Sequence, residues 1–300
     1  MANLKLRRPE NISGDIFVDN TCIDCDTCRW MSPKIFRRQG EKSAVYYQPT
    51  NQKERLEAMQ ALLSCPTNSI GTIETPKDIK NVHKTLPILV ADNVYHCGYH
   101  SPKSFGAASY FIVRPEGNIL VDSPQFLAPL VKRLEAMGGI KYMYLTHRDD
   151  VVDHQKFREH FSCDRILHID DISPDTKDVE IKLTGTDSIS LTPDLLIIPV
   201  TGHTKGHTVL LYQKFLFTGD HLAWSDPLNQ LYAFRRYCWY SWSEQIISMG
   251  KLINYDFEWV LPGHGLRYHT DKKNYATRVK KMSCLDAKIL SYISLNLVNL

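Results

Sequence analysis

Apolar residues fall into short runs along most of the chain, and the character of the runs changes near residue 88. Beyond it, strand-length runs occupy residues 88–91, 108–113, 118–121 and 141–145, bounded by polar, Gly or Pro positions, the pattern of buried strands. Between them the period lengthens. Leu127, Leu130, Val131 and Leu134 recur every three or four residues, which predicts an amphipathic helix over residues 126–137 with one buried stripe. Further strands are predicted at residues 165–168, 195–200, 208–212, 214–217 and 258–261, and a helix opening at Asp153 and His154 and running to Phe161. Strands interleaved with helices therefore fill residues 88–275. Leu285, Ile289, Leu290, Ile293 and Leu297 return to helical spacing, so residues 276–300 read either as a final helix packed on the core or as a tail that docks a partner.

Ahead of residue 88 the pattern is different and shorter. The polar, Pro-containing stretch at residues 74–78 marks a boundary, giving a first domain at residues 1–80 and a linker at 81–87. Composition narrows the class. Of 300 residues 43% are hydrophobic and 23% charged, the balance of a chain with buried cores rather than of a disordered or collagen-like one. Lys and Arg total 36 against 33 Asp and Glu, a net charge of +3. That surplus is too small to make nucleic acid or an anionic membrane a partner. No apolar run reaches the roughly 18 residues of a membrane span, and residues 1–10 carry charge where a signal peptide has its apolar core. The expectation is a soluble, intracellular chain.

Four of the eight cysteines lie in the first 65 residues: Cys22, Cys25, Cys28 and Cys65. Three thiolates on one tight loop and a fourth from a distant Cys-Pro suit an iron–sulfur cluster, in which a wrapping loop supplies three corners. Structural zinc and unrelated free thiols are the alternatives, but zinc sites favour two separated C-x-x-C pairs. Phe17-Val18-Asp19, the Cys22–Cys28 loop, Pro33, Ile35-Phe36, Gln48-Pro49 and Ser64-Cys65-Pro66-Thr67 with Ile70 together resemble a single-cluster bacterial-type ferredoxin over residues 12–73. Two-cluster relatives place another Cys before the Pro where this chain has Ser32-Pro33. The resemblance implies one [4Fe-4S] cluster on Cys22, Cys25, Cys28 and Cys65, moving one electron, with a redox partner protein. Ligands alone do not separate electron transfer from sensing or a structural role, because potential depends on surrounding hydrogen bonds and exposure.

A second constellation begins after the strand at residues 141–145, in Thr146-His147-Arg148-Asp149-Asp150-Val151-Val152-Asp153-His154. Read as an extended segment, it points His147 and Asp149 the same way. Later come Gly202-His203-Thr204-Lys205-Gly206-His207, then Gly219-Asp220-His221, then Gly263-His264-Gly265, each just past a predicted strand, where a rigid scaffold holds a loop. This ordered set, with Gly117 to Asp122 upstream, resembles the metallo-β-lactamase superfamily over residues 88–270. The resemblance implies an α+β chain in which the ferredoxin-like module precedes an αββα sandwich, two sheets face to face with helices outside, carrying one or two divalent metals. Carried over, one metal takes His147, Asp149 and His203, the other Asp153, His154 and His264, and Asp220 bridges them. Asp153 and Asp220 are then the catalytic carboxylates.

Asp149 stands where the family's first motif has its second His, and two extra residues precede Asp153-His154. A carboxylate there makes the donor set harder and widens the expectation from zinc to iron or manganese. His207 and His221 are neighbours rather than ligands. The implied reaction is hydrolysis of a small-molecule substrate that the sequence does not name. The intervals after Asp220 and His264 are too short for the family's RNA-processing insertion, flavodoxin domain or thioester-binding helical domain. Two rivals stand beside hydrolysis: an oxidoreductase passing electrons from the cluster to an iron site, and a non-catalytic electron carrier or redox sensor. Residues 234–242, with Arg235, Arg236, Tyr237, Trp239, Tyr240 and Trp242, read either as a lid gripping an acidic or planar substrate or as helix packing. His96-Cys97-Gly98-Tyr99-His100 reads as a further metal site or as a strand–turn segment. Such fusions resemble plant and cyanobacterial proteins, implying the chloroplast stroma or the cytoplasm, although the residues before Cys22 do not read as a transit peptide.

Overall fold

The computed structural model describes residues 2–226 and 228–270; the predicted helix or tail at 276–300 lies outside them. The described residues divide into two compact units, one of residues up to Leu145 with Asp149–Ile166, the other of Thr146–Arg148 with the described residues from Leu167 on.

The first unit opens with β1 (Ile16–Val18), α1 (Thr27–Met31), β2 (Phe36–Gln39), β3 (Lys42–Val45), α2 (Gln52–Ser64), β4 (Ile70–Thr72) and α3 (Ile79–His83). β1 pairs antiparallel with β4, and β2 with β3 through a turn at Gly40 (φ +65°). α2 starts where the Asn51 side chain accepts the Glu54 amide, satisfying a donor that has no partner inside a helix. Ile16, Val18, Ile35, Phe36, Val45, Met59 and Ile70 form the core of this module. α3 and the buried Val82 and Leu86 occupy the stretch read from sequence as a linker.

The same unit continues into a sheet of β5 (Ile88–Ala91), β6 (Val94–His96), β7 (Tyr110–Ile112), β8 (Ile119–Val121), β9 (Tyr142–Tyr144) and β10 (Asp164–His168), side by side in that order. The first four pair antiparallel, whereas β8, β9 and β10 run parallel. Parallel neighbours need crossovers, supplied by α4 (Ala128–Ala136) and α5 (His154–Phe161). α4 buries Leu130, Val131 and Leu134, three of the four residues whose spacing predicted it.

The second unit holds β11 (Ile181–Leu183), β12 (Ile189–Thr192), β13 (Leu195–Pro199), β14 (Thr208–Tyr212), β15 (Phe215–Gly219), β16 (Ala223–Ser225), β17 (Gln230–Tyr232), α6 (Trp242–Lys251), β18 (Trp259–Pro262) and β19 (Tyr268–His269). Its main sheet has the order β12, β13, β14, β15, β18, β19, parallel only between β15 and β18. Ile198, Val209, Leu216, Leu252, Phe257 and Val260 pack its core. Ligand-type residues stand in three of the loops that this sheet presents: His203 and His207 between β13 and β14, Asp220 after β15, and His264 after β18.

Candidate metal centres

The Cys22–Cys28 loop wraps because Asp24 (φ +60°) and Asp26 (φ +62°) both adopt left-handed backbone, which short polar side chains tolerate better than most. Arg29 and Arg38 hold the Asp24 carboxylate at 2.6 and 3.1 Å. Cys22, Cys25, Cys28 and Cys65 line one cavity, together with Val18, Ile23 and Pro66, and none is in a disulfide. Burial pushes the Cys25 thiol up to about 12, against smaller lowering by Thr27; burial also raises Cys28 and Cys65. Four sulfurs gathered away from water resist ionising unless a cation compensates, and a metal cluster supplies that compensation. Donors already face the sulfurs. The Ser69 amide lies 3.3 Å from Cys65 Sγ and the Thr27 hydroxyl 3.5 Å from Cys25 Sγ. This donor set fits an iron–sulfur cluster.

In the second unit one carboxylate oxygen is the hub. Asp220 Oδ2 lies 3.7 Å from His147 Nε2, 3.7 Å from His203 Nε2 and 3.8 Å from His264 Nε2. These separations are too long for hydrogen bonds, and those among His147, His203 and Asp220 suit donor atoms set around a shared cation. His147, His203 and Asp220 form a group with the spacing of a site for a single metal ion. His147 is fully buried and His203 nearly so, so the donors are held by packing. The His147 and His203 imidazoles with the Asp220 carboxylate fit zinc, iron or manganese, and His264 stands outside that group, beside the same Asp220 oxygen.

Two further histidines surround this set. The His207 ring stands perpendicular to that of His147, with centroids 4.7 Å apart, and 5.7 Å from that of His221. Burial keeps both neutral, lowering His221 to about 3 and His207 well below its usual value. Gly219 (φ +49°) has no room for a side chain, since a Cβ there would lie 2.4 Å from Thr146 Oγ1 and 2.8 Å from His207 Nε2. Sequence reasoning missed the residue that organises these loops. Asp171, fully buried, accepts the Arg148 amide at 3.1 Å, the Thr204 hydroxyl at 2.5 Å and the Gly206 amide at 2.8 Å. It fixes the loops of His147, His203 and His207, and a lone Asp between two predicted strands gives no signal of that in sequence.

The remaining candidates lie in the first unit. The segment after β9 does not run extended, as its sequence predicts. It bends and turns at Arg148 and Asp149, with the Arg148 amide drawn to Asp171. Asp153, left-handed at the start of α5, binds Lys156 Nζ at 2.6 Å and the Phe126 amide at 3.0 Å. Lys156 and that amide draw its carboxyl below the usual range, outweighing desolvation. Arg165 NH1 lies 3.0 Å from His154 Nδ1. A guanidinium only donates, so this nitrogen accepts.

Trp239, Tyr240 and Ser241 hang on the metal loop: their amides donate to His203 O at 2.8 and 3.1 Å and to Gly202 O at 3.0 Å. Trp239 is 56% exposed with its ring 6.2 Å from that of His203, and Tyr240 is 51% exposed. Arg235 lies over the Trp242 ring at the head of α6.

Residues 18–72 match the family model described as the 4Fe-4S single cluster domain of Ferredoxin I. The crystal structure of VMB-1 at pH 5.5 is similar at a TM-score of 0.52 and 19% identity, covering 67% of this chain and 96% of that one. The larger domain has the metallo-β-lactamase fold. The mono-zinc form of the metallo-β-lactamase FIM-1 from Pseudomonas aeruginosa gives a TM-score of 0.49 at 17% identity, covering 65% of this chain and 94% of its own. TTHA1623 in a di-iron-bound form gives 0.44 at 18%, covering 58% and 93%. No curated protein sequence matches the chain. The metallo-β-lactamase-fold domain thus follows a ferredoxin-type module, as the sequence resemblances implied.

Proposed function

We propose that this protein is a metal-dependent hydrolase whose metallo-β-lactamase-fold domain works beside a [4Fe-4S] cluster that transfers electrons or senses redox state. The observation that carries the hydrolase reading is the convergence of three imidazole Nε2 atoms on Asp220 Oδ2 at 3.7–3.8 Å. His147, His203, Asp220 and His264 would hold the metal. A divalent metal bound there lowers the pKa of a coordinated water and polarises a substrate oxygen. The chain's own part is positional. Asp171 keeps the loops rigid, and the neutral His207 keeps a second positive charge away from the site. Trp239 and Tyr240 offer exposed aromatic faces along the His203 loop, and Arg235 and Arg236 add positive charge, which favours a substrate with a planar part and an anionic group. Asp149, Asp153 and His154 are not included in this metal set.

The second reading is an oxidoreductase, favoured by the four-thiol cavity in the same chain and by a donor set that accepts iron. The test is a panel of esters, thioesters and phosphodiesters on anaerobically purified protein, run with Asp220→Ala and His264→Ala. Turnover that both variants lose, with cluster absorption unchanged, supports hydrolysis. Turnover unaltered in either variant removes this assignment; iron beyond the cluster's share that is reduced through the cluster transfers it to the oxidoreductase.

A further inference from the structure

Two buried imidazoles from the start of the larger domain reach the cysteine cavity through one threonine. His96 ends β6 and His100 follows in the next loop; both are buried to within 1%. Their Nε2 atoms are 2.7 Å apart, His100 Nδ1 is 2.7 Å from Gly106 O, and the same Nδ1 is 3.1 Å from Thr27 Oγ1. Thr27 Oγ1 is in turn 3.5 Å from Cys25 Sγ and 3.4 Å from Gly106 O. Gly106 sits against the same cysteine, since a Cβ there would lie 2.9 Å from Cys25 Cβ.

The directions of these bonds follow from what each atom is able to do. A carbonyl only accepts, so His100 Nδ1 carries a proton and donates it to Gly106 O. A protonated Nδ1 has no lone pair for the Thr27 hydroxyl. In the neutral ring His100 Nε2 is then bare and accepts from His96 Nε2–H. The Thr27 proton is left with two acceptors, Cys25 Sγ at 3.5 Å and the Gly106 carbonyl at 3.4 Å, which already accepts from His100 at 2.7 Å. A cluster-bound thiolate carries charge, and charge-assisted hydrogen bonds are the stronger ones.

We propose that His100 is a positioning residue for the iron–sulfur cluster: by donating to Gly106 O it directs the Thr27 hydroxyl at Cys25 Sγ and raises the reduction potential of the cluster. The proposal rests on the reading that Cys22, Cys25, Cys28 and Cys65 hold that cluster. A hydrogen bond to a ligand sulfur stabilises the reduced, more negative state more than the oxidised one, so losing it moves the potential down. The larger domain would in this way set the potential of the ferredoxin-type module.

The test is a redox titration of the full-length protein with its cluster, followed by visible absorption and EPR, on Thr27→Val, Thr27→Ser, His100→Phe and the Thr27→Val/His100→Phe double variant. Iron and sulfide content first shows that each variant keeps its cluster; wild-type protein without iron and sulfide would remove the underlying reading instead. Thr27→Val is nearly isosteric and decides the matter if His100→Phe does not fold. The expected result is a lower potential in Thr27→Val and in His100→Phe, with the equilibrium constant for reduction falling roughly threefold to tenfold. Thr27→Ser should keep the wild-type value, and the double variant should shift no further than Thr27→Val. An unchanged or raised potential in Thr27→Val, or additive shifts in the double variant, would overturn the proposal.

Discussion

The Thr204 hydroxyl donates to Asp171 at 2.5 Å, joining residues 33 apart in sequence in a fully buried contact. Asp171 also takes the amides of Arg148 and Gly206, so one carboxylate sets the loops that carry His147, His203 and His207. Asp171→Asn keeps one acceptor oxygen and turns the other into a donor facing donors. It should cost about 2–4 kcal/mol of stability and weaken metal binding by roughly 10- to 100-fold. Thermal unfolding and a competitive chelator titration measure the two effects. An unchanged chelator midpoint would show that the loops hold without Asp171.

Gly106 and Gly40 both have left-handed backbone, at φ +87° and +65°, yet only Gly106 faces an obstacle: a Cβ there would meet Cys25 Cβ at 2.9 Å, whereas Gly40 opens onto free space. Gly106→Ala should therefore lower iron content and visible absorption. Gly40→Ala should leave both intact and cost roughly 1 kcal/mol through backbone strain. Equal cluster content in the two variants would contradict this reading of Gly106.

His83 Nδ1 lies 2.6 Å from the Tyr99 hydroxyl, and burial draws its pKa below the usual value. The unfolded chain therefore takes up this proton first, near pH 6.5. Stability is whole above that pH and falls as the pH drops below it toward the lowered folded value. His83→Gln removes the titration while leaving a polar side chain for Tyr99. Between about pH 7.5 and 5.5, either side of that ordinary value, its thermal midpoint should fall less than that of the wild type, and an equal or larger fall would contradict the prediction.

The chain's apolar runs were enough for most of the scaffold, because strands such as β13, with Leu195, Ile197 and Ile198 buried, show themselves by continuous hydrophobicity. α6 was not legible: two of its four buried residues are Gln245 and Ser248, used for hydrogen bonds to His221 O and Thr201 O. Around the candidate site, His147, His203, Asp220 and His264 stood out as ligand types just past strand ends, and the structure gathers them. The geometry of Arg148 and Asp149 did not stand out, because the turn there depends on the distant carboxylate of Asp171. The His96–Cys97–Gly98–Tyr99–His100 segment showed two histidines without showing what they meet, since Thr27 is 73 residues from His100.

The proposed function requires two metal centres in one chain, a cluster on four cysteines and a metal site built on His147, His203 and Asp220 with His264 beside it. Metal and acid-labile sulfide analysis of anaerobically purified protein, with EPR before and after dithionite, tests it most directly. The expected result is about four iron and four sulfide per chain, with one or two further metal ions that Asp220→Ala and His264→Ala lose while their cluster signal stays. No metal beyond the cluster, or a further metal that survives both substitutions, would contradict it.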